Sequence, residues 1–76
     1  MAGADAELLL VLKEWRRQQA QSQAVPPYVV FHDRTLLEIA SHRPKDTEAL
    51  AAISGVGKAK LGKYGEELLQ LISKSP

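Results

Sequence analysis

Lys58, Lys60 and Lys63 follow directly on Gly55-Val56-Gly57, a spacing suited to holding phosphate. Two glycines flanking one apolar residue let a chain turn sharply while Val56 enters the core. A helix starting at Lys58 then presents free backbone N–H groups and the positive end of its dipole, with the lysines as mobile cations beside them. Such a hairpin grips a nucleic-acid backbone without reading bases, as helix-hairpin-helix modules do. The same residues also fit a plain inter-helix turn with a solvated lysine face, and the local motif alone does not separate the two.

Lys13, Arg16 and Arg17 are three and four residues apart, so a helix places them on one face as a second phosphate-tracking patch, with Glu14 among them. Tyr28 and Phe31 are interleaved with valines, and an exposed ring beside such a patch is a stacking platform for an unpaired base. Phe31 and Trp15 read as core; Tyr28 fits either a core ring with its hydroxyl reaching out or an exposed platform.

Other chemistries lack their residues. A nucleotide-binding P-loop needs a glycine where Ala52 stands and a Ser or Thr where Ala59 follows Lys58. His32 and His42 are the only histidines and there is no cysteine, which leaves no metal-ligand set. Ser41 and Ser54 have no base-and-orienter partners, and Glu66-Glu67 with the scattered Asp33, Glu38, Asp46 and Glu48 make no two-metal motif. The sequence therefore predicts no catalytic residues, no metal and no cofactor.

The 76 residues allow one domain, which at this size buries only about 60% of its unfolded surface. With 45% hydrophobic and 25% charged residues the composition is globular, and a net charge of +1 neither predicts nor forbids a polyanionic partner. Absent cysteine fits a reducing compartment. The apolar run Leu8-Leu9-Leu10-Val11-Leu12 is far short of the roughly 20 residues a membrane span needs, and acidic residues precede it where a signal peptide would be basic.

The elements that would position these residues are all helical. Leu8, Val11, Leu12 and Trp15 recur at helical spacing, predicting an amphipathic helix over 7–23 whose Gln- and Ala-rich later half, from Gln18, frays or projects. Pro26-Pro27 stops it, and Tyr28 to Phe31 reads as a buried irregular crossing because no second strand exists to pair with it. Asp33 reads as the N-cap of a helix over 34–42 carrying Leu36, Leu37, Ile39 and Ala40. Asp46 or Thr47 caps a third helix bearing Leu50 and Ile53, and Gly55 stands where a left-handed residue ends it. A last helix runs over 58–73 with Leu61, Tyr64, Leu68 and Ile72 as one stripe. Gly62 and Gly65 within it predict a break, or a neighbouring backbone packed close near Gly65.

Together, Leu12-x-x-x-Arg16-x-x-x-Ala20, Val25-Pro26-Pro27-Tyr28-Val29-Val30-Phe31, Asp33-x-Thr35-Leu36-x-x-Ile39-Ala40, Pro44 and Leu50-x-x-Ile53-x-Gly55-Val56-Gly57-x-x-Lys60-x-x-x-Tyr64-Gly65 resemble an HRDC (helicase and RNase D C-terminal) domain. The copies in bacterial RecQ helicases are the most similar. The resemblance implies an all-α, compact bundle of about five short helices with a helix-hairpin-helix-like turn. It would occupy residues 7–73, between a disordered tail over 1–6 and a short tail over 74–76. It implies a non-catalytic auxiliary module of an ATP-dependent DNA helicase, monomeric in isolation and cytoplasmic beside the nucleoid, serving DNA repair, recombination and replication. The implied partners are single-stranded or branched DNA and the helicase core of the parent chain. In such domains DNA meets the first helix, the Pro-Pro-Tyr region and the hairpin, which here are Lys13, Arg16, Arg17, Tyr28, Arg34, Gly55, Gly57, Lys58, Lys60 and Lys63. The alternative is a regulatory domain that acts through protein contacts without strong DNA affinity of its own.

Overall fold

Five helices follow one another in the computed structural model: α1 Ala6–Gln23, α2 Pro27–Val30, α3 Asp33–His42, α4 Thr47–Ala51 and α5 Lys58–Lys74. The structure describes residues 5–75; of the expected N-terminal tail, residues 1–4 lie outside that range, as does Pro76. Asp5 caps α1, its carboxylate accepting from the Leu8 N–H at 3.0 Å. The helix packs on α2, α3 and α5, and α4 packs on α5. Leu8, Leu12, Phe31, Leu36, Ile39, Leu50 and Leu68 are fully enclosed at the centre.

Helices α1 and α3 bury their apolar residues only in part. Val11, part of the helical spacing of α1, and Leu37, one of the apolar residues of α3, are 40% and 43% exposed, because each stands at the border of its apolar face. The later half of α1 does not project: Ala20 is buried, and the Gln23 amide donates to the Tyr64 hydroxyl at 2.6 Å. α1 stops before the prolines. Ala24 turns left-handed at φ 57°, and the Val25 N–H returns to the Ala20 carbonyl at 3.0 Å, closing the helix end.

The segment after the prolines is not an irregular crossing. Pro27 sits at the first position of α2, where its missing N–H leaves no bond unmade, and the single turn buries Val30 and then Phe31 while Tyr28 and Val29 face out. Asp33 is likewise not the cap of α3: His32 holds the cap position, and Asp33 lies in the first turn with its carboxylate engaged elsewhere. Asp46 does cap α4, accepting from the Ala49 N–H at 2.8 Å.

α5 is continuous through both of its glycines. A Cβ on Gly62 would meet nothing within 4 Å, and one on Gly65 would meet only the side chains of Leu61 and Leu50. Neither break nor backbone approach occurs, since packing of the Tyr64, Leu68 and Ile72 stripe outweighs a glycine penalty of about 1 kcal/mol each.

Candidate nucleic-acid interface

The hairpin between α4 and α5 is shaped by Gly55, at φ +94°, and by Val56, which plugs the core at 6% exposure. The buried Thr35 hydroxyl, one turn into α3, donates to the Ser54 carbonyl at 3.3 Å and holds the hairpin against α3. Gly57 caps α5 with extended backbone, so the first amides of the helix face solvent beside Lys58. Lys60 and Lys63 lean back over the domain. The Lys60 ammonium stands 5.2 Å from the centroid of the Phe31 ring, and that of Lys63 stands 5.3 Å from the Tyr64 ring and 3.2 Å from the Gln23 amide oxygen. Both cations thus rest on an aromatic cluster in which Trp15 meets Tyr64 edge-on at 5.2 Å and Phe31 meets Tyr64 at 5.7 Å.

Beyond Phe31 the chain of contacts continues. Arg16 is a bracket, its side chain only 12% exposed: Nη1 donates to the Phe31 carbonyl at 2.8 Å and Nη2 meets Asp33 Oδ1 at 2.7 Å. The Arg16 hydrogen bond and charge hold the Asp33 carboxyl below the usual carboxylate range, with Lys13 and His32 adding to the effect. Next to Asp33, the imidazole of His32 stacks on Tyr28 with centroids 5.9 Å apart and 25° between planes. Tyr28 is 59% exposed, so its ring faces solvent rather than filling the core. Arg16, Pro27, Tyr28, His32, Asp33 and Arg34 line one open groove of about 480 Å³.

The expected residues therefore divide. Lys60 and Lys63 sit on the aromatic cluster, Tyr28 and Arg34 line the groove with Arg16, and Lys13 acts on Asp33 from α1. Arg16 is consumed by the fold. Arg17 turns to Glu14, donating from Nε at 3.0 Å; that hydrogen bond lowers the Glu14 pKa and raises that of Arg17. Arg34 only grazes Glu38 at 3.9 Å, and among the described residues Lys13, Lys58, Lys60 and Lys63 stand in no salt bridge. The sequence reading missed Gln23, Thr35, His32 and the pairing of Asp33. None of these left a trace in the local pattern; the Tyr28–His32 stack forms because the chain turns from α2 through extended Phe31 and His32 into α3.

Among the described residues, no group of three or more His, Cys, Asp or Glu side chains is placed to hold a metal ion, and no helix is long and apolar enough to cross a membrane.

Comparison with known proteins places these features in a family. Residues 5–72 match the family model of the HRDC domain. The chain is 54% identical over 71 residues to the ATP-dependent DNA helicase UvrD2 of Mycobacterium tuberculosis, covering 93% of this chain and 10% of that protein. It is 44% identical over 66 residues to the ATP-dependent DNA helicase RecQ of Bacillus subtilis, covering 87% of this chain and 11% of the relative. The solved HRDC domain 3 of D. radiodurans RecQ superposes with a TM-score of 0.85 at 32% identity, covering 90% of each chain. The chain thus spans about a tenth of the length of the curated helicases it matches.

Proposed function

The chain belongs to the HRDC domain family, an accessory and non-catalytic module, and from that premise we propose that it binds single-stranded or branched DNA for a helicase of the UvrD2 or RecQ type. The observation that supports this reading is the pair of cations Lys60 and Lys63, resting on the Phe31 and Tyr64 rings and in no salt bridge among the described residues, together with the exposed Tyr28 ring, whose neighbour Asp33 is tied to Phe31 through Arg16. Lys13, Arg34, Lys58, Lys60 and Lys63 track phosphates, the Gly55–Gly57 hairpin offers the amides that start α5, and Tyr28 takes an unpaired base. Arg16 serves the site by holding Phe31 and Asp33 in place, while Arg17 reaches DNA only by leaving Glu14.

Fluorescence anisotropy of the domain with single-stranded, duplex and forked oligonucleotides at two salt concentrations tests the reading. Affinity falls with salt, Lys58→Ala and Lys60→Ala weaken all sequences alike, and Tyr28→Ala reduces single-strand binding by about 1–3 kcal/mol. Absence of binding to every oligonucleotide at low salt refutes it.

A second reading is favoured by a different surface. Leu10, 68% exposed, lines with Val11 and Leu71 an apolar groove between the start of α1 and the end of α5, on residues that none of the DNA path uses. In a helicase whose length lies mostly outside this domain, as in the relatives, that groove docks on the helicase core and regulates its DNA affinity. Leu10→Ser in the full-length parent then changes DNA affinity while leaving that of the isolated domain alone; an unaltered parent refutes the docking.

A further inference from the structure

Asp33 is an anomaly on a face read as tracking phosphate. Its carboxylate is 74% exposed and ionised, and a phosphate brought against it would be repelled. Yet it is not a loose surface acid: one oxygen is clamped at 2.7 Å by Arg16, whose own side chain is nearly enclosed and pinned to the Phe31 carbonyl. The carboxylate is thereby held in one orientation in the wall of the groove that Tyr28 and His32 also line. An ionised carboxylate only accepts hydrogen bonds, at about four lone-pair sites, so the Arg16 contact leaves acceptors free on both oxygens.

A fixed acceptor beside an aromatic shelf is the equipment for reading a base edge. Of the four bases, guanine alone presents two adjacent donors, N1–H and the N2 amino group, on its Watson–Crick edge. Adenine and cytosine set one amino group beside a ring acceptor, and thymine flanks its single N–H with two carbonyls. Resting on the assignment of this face to single-stranded DNA, we propose that the Tyr28–His32 groove selects an unpaired guanine, the base stacking on the Tyr28 ring and donating from N1 and N2 to Asp33. Arg34 and Lys13, flanking the carboxylate, hold the adjoining phosphates.

Anisotropy titrations with oligo(dT) carrying a single central guanine, adenine or hypoxanthine separate hydrogen bonding from stacking, because all three are purines with similar ring faces. Expected are about fivefold tighter binding of the guanine strand than of the adenine strand and an intermediate value for hypoxanthine, which keeps N1–H and lacks the amino group. Asp33→Asn abolishes the preference, so that the guanine and adenine strands bind it alike. Equal binding of the guanine and adenine strands by the unaltered domain overturns the proposal while leaving DNA binding intact. A preference that survives Asp33→Asn also overturns it. Absence of binding to every strand at low salt overturns the DNA assignment, and the guanine proposal with it.

Discussion

The Thr35 hydroxyl occupies the place where a side chain on Gly55 would have to begin: a Cβ there would stand 2.2 Å from Thr35 Oγ1. The contact joins the hairpin to α3, and it makes the glycine necessary twice over, once for its φ of +94° and once for the close approach. Gly55→Ala destabilises the domain by about 2–3 kcal/mol in urea denaturation. Thr35→Ala loses about 1 kcal/mol alone and recovers part of the Gly55→Ala loss in the double variant, since it lifts the clash and leaves the backbone strain. Additive losses would show that the two residues do not meet.

Gly62 is the opposite case. It lies in the exposed interior of α5 with open space where a Cβ would go. Gly62→Ala therefore stabilises by about 1 kcal/mol, read as a rise of about 4–8 °C in Tm. Ala24→Gly does the same on a smaller scale, because the Ala24 φ of 57° is a conformation that glycine adopts without strain.

Arg16 and Arg17 are neighbours with different work. Arg16→Ala strips the Phe31 carbonyl of its donor and Asp33 of its cation, and destabilises by about 1–3 kcal/mol. Arg17→Ala breaks only a solvated pair with Glu14 and leaves the melting temperature essentially unchanged. Thermal melts of the two variants at one pH decide between this division and a shared role as surface cations.

Acid weakens the fold through two named carboxylates. The Leu8 N–H and Arg43 hold the Asp5 carboxyl below its ordinary range, burial opposing them, and Arg16 does so for Asp33. A carboxylate depressed in the folded state contributes stability fully above its unfolded value, near 4, and loses it as pH falls through the lower folded value. Stability therefore declines below about pH 4, and Asp5→Asn and Asp33→Asn each flatten that decline while lowering stability at neutral pH. Urea midpoints measured between neutral pH and acid give the slope; an unaltered slope in Asp33→Asn would show that Arg16 does not hold it.

Arg43 ties three ends of the chain together, which no local pattern foretells. It closes α3 in a left-handed conformation at φ 45°, pairs with Asp5 at the start of α1, and donates to the Ile72 and Ser75 carbonyls at 3.2 and 3.0 Å. Arg43→Ala leaves those carbonyls and Asp5 without their shared donor and destabilises by about 1–3 kcal/mol, measured in the same urea titrations.

The amino-acid sequence by itself determined four of the five helices, their order and the family, but not the turn of α2. Those features are written in local terms: an apolar residue every three or four positions in α1 and α5, Asp46 three residues before the Ala49 amide it caps, and Gly55 where only a residue free of a Cβ turns the chain. It also marked Lys60, Lys63 and Tyr28 as residues to watch. What only the tertiary structure decided is which polar side chains are spent inside the fold. Arg16 and Lys13 look alike in sequence, but Phe31 and Asp33 arrive beside Arg16 from distant positions and take up its donors. The glycines of α5 did not break the helix because stripe packing, a non-local quantity, exceeds their local penalty. Tyr28 is a surface ring rather than a core ring because the turn of α2, started by Pro27, sends Val30 and Phe31 inward and leaves Tyr28 facing solvent. Periodicity reports which face of an element is apolar; it carries no record of which distant residue that face will meet.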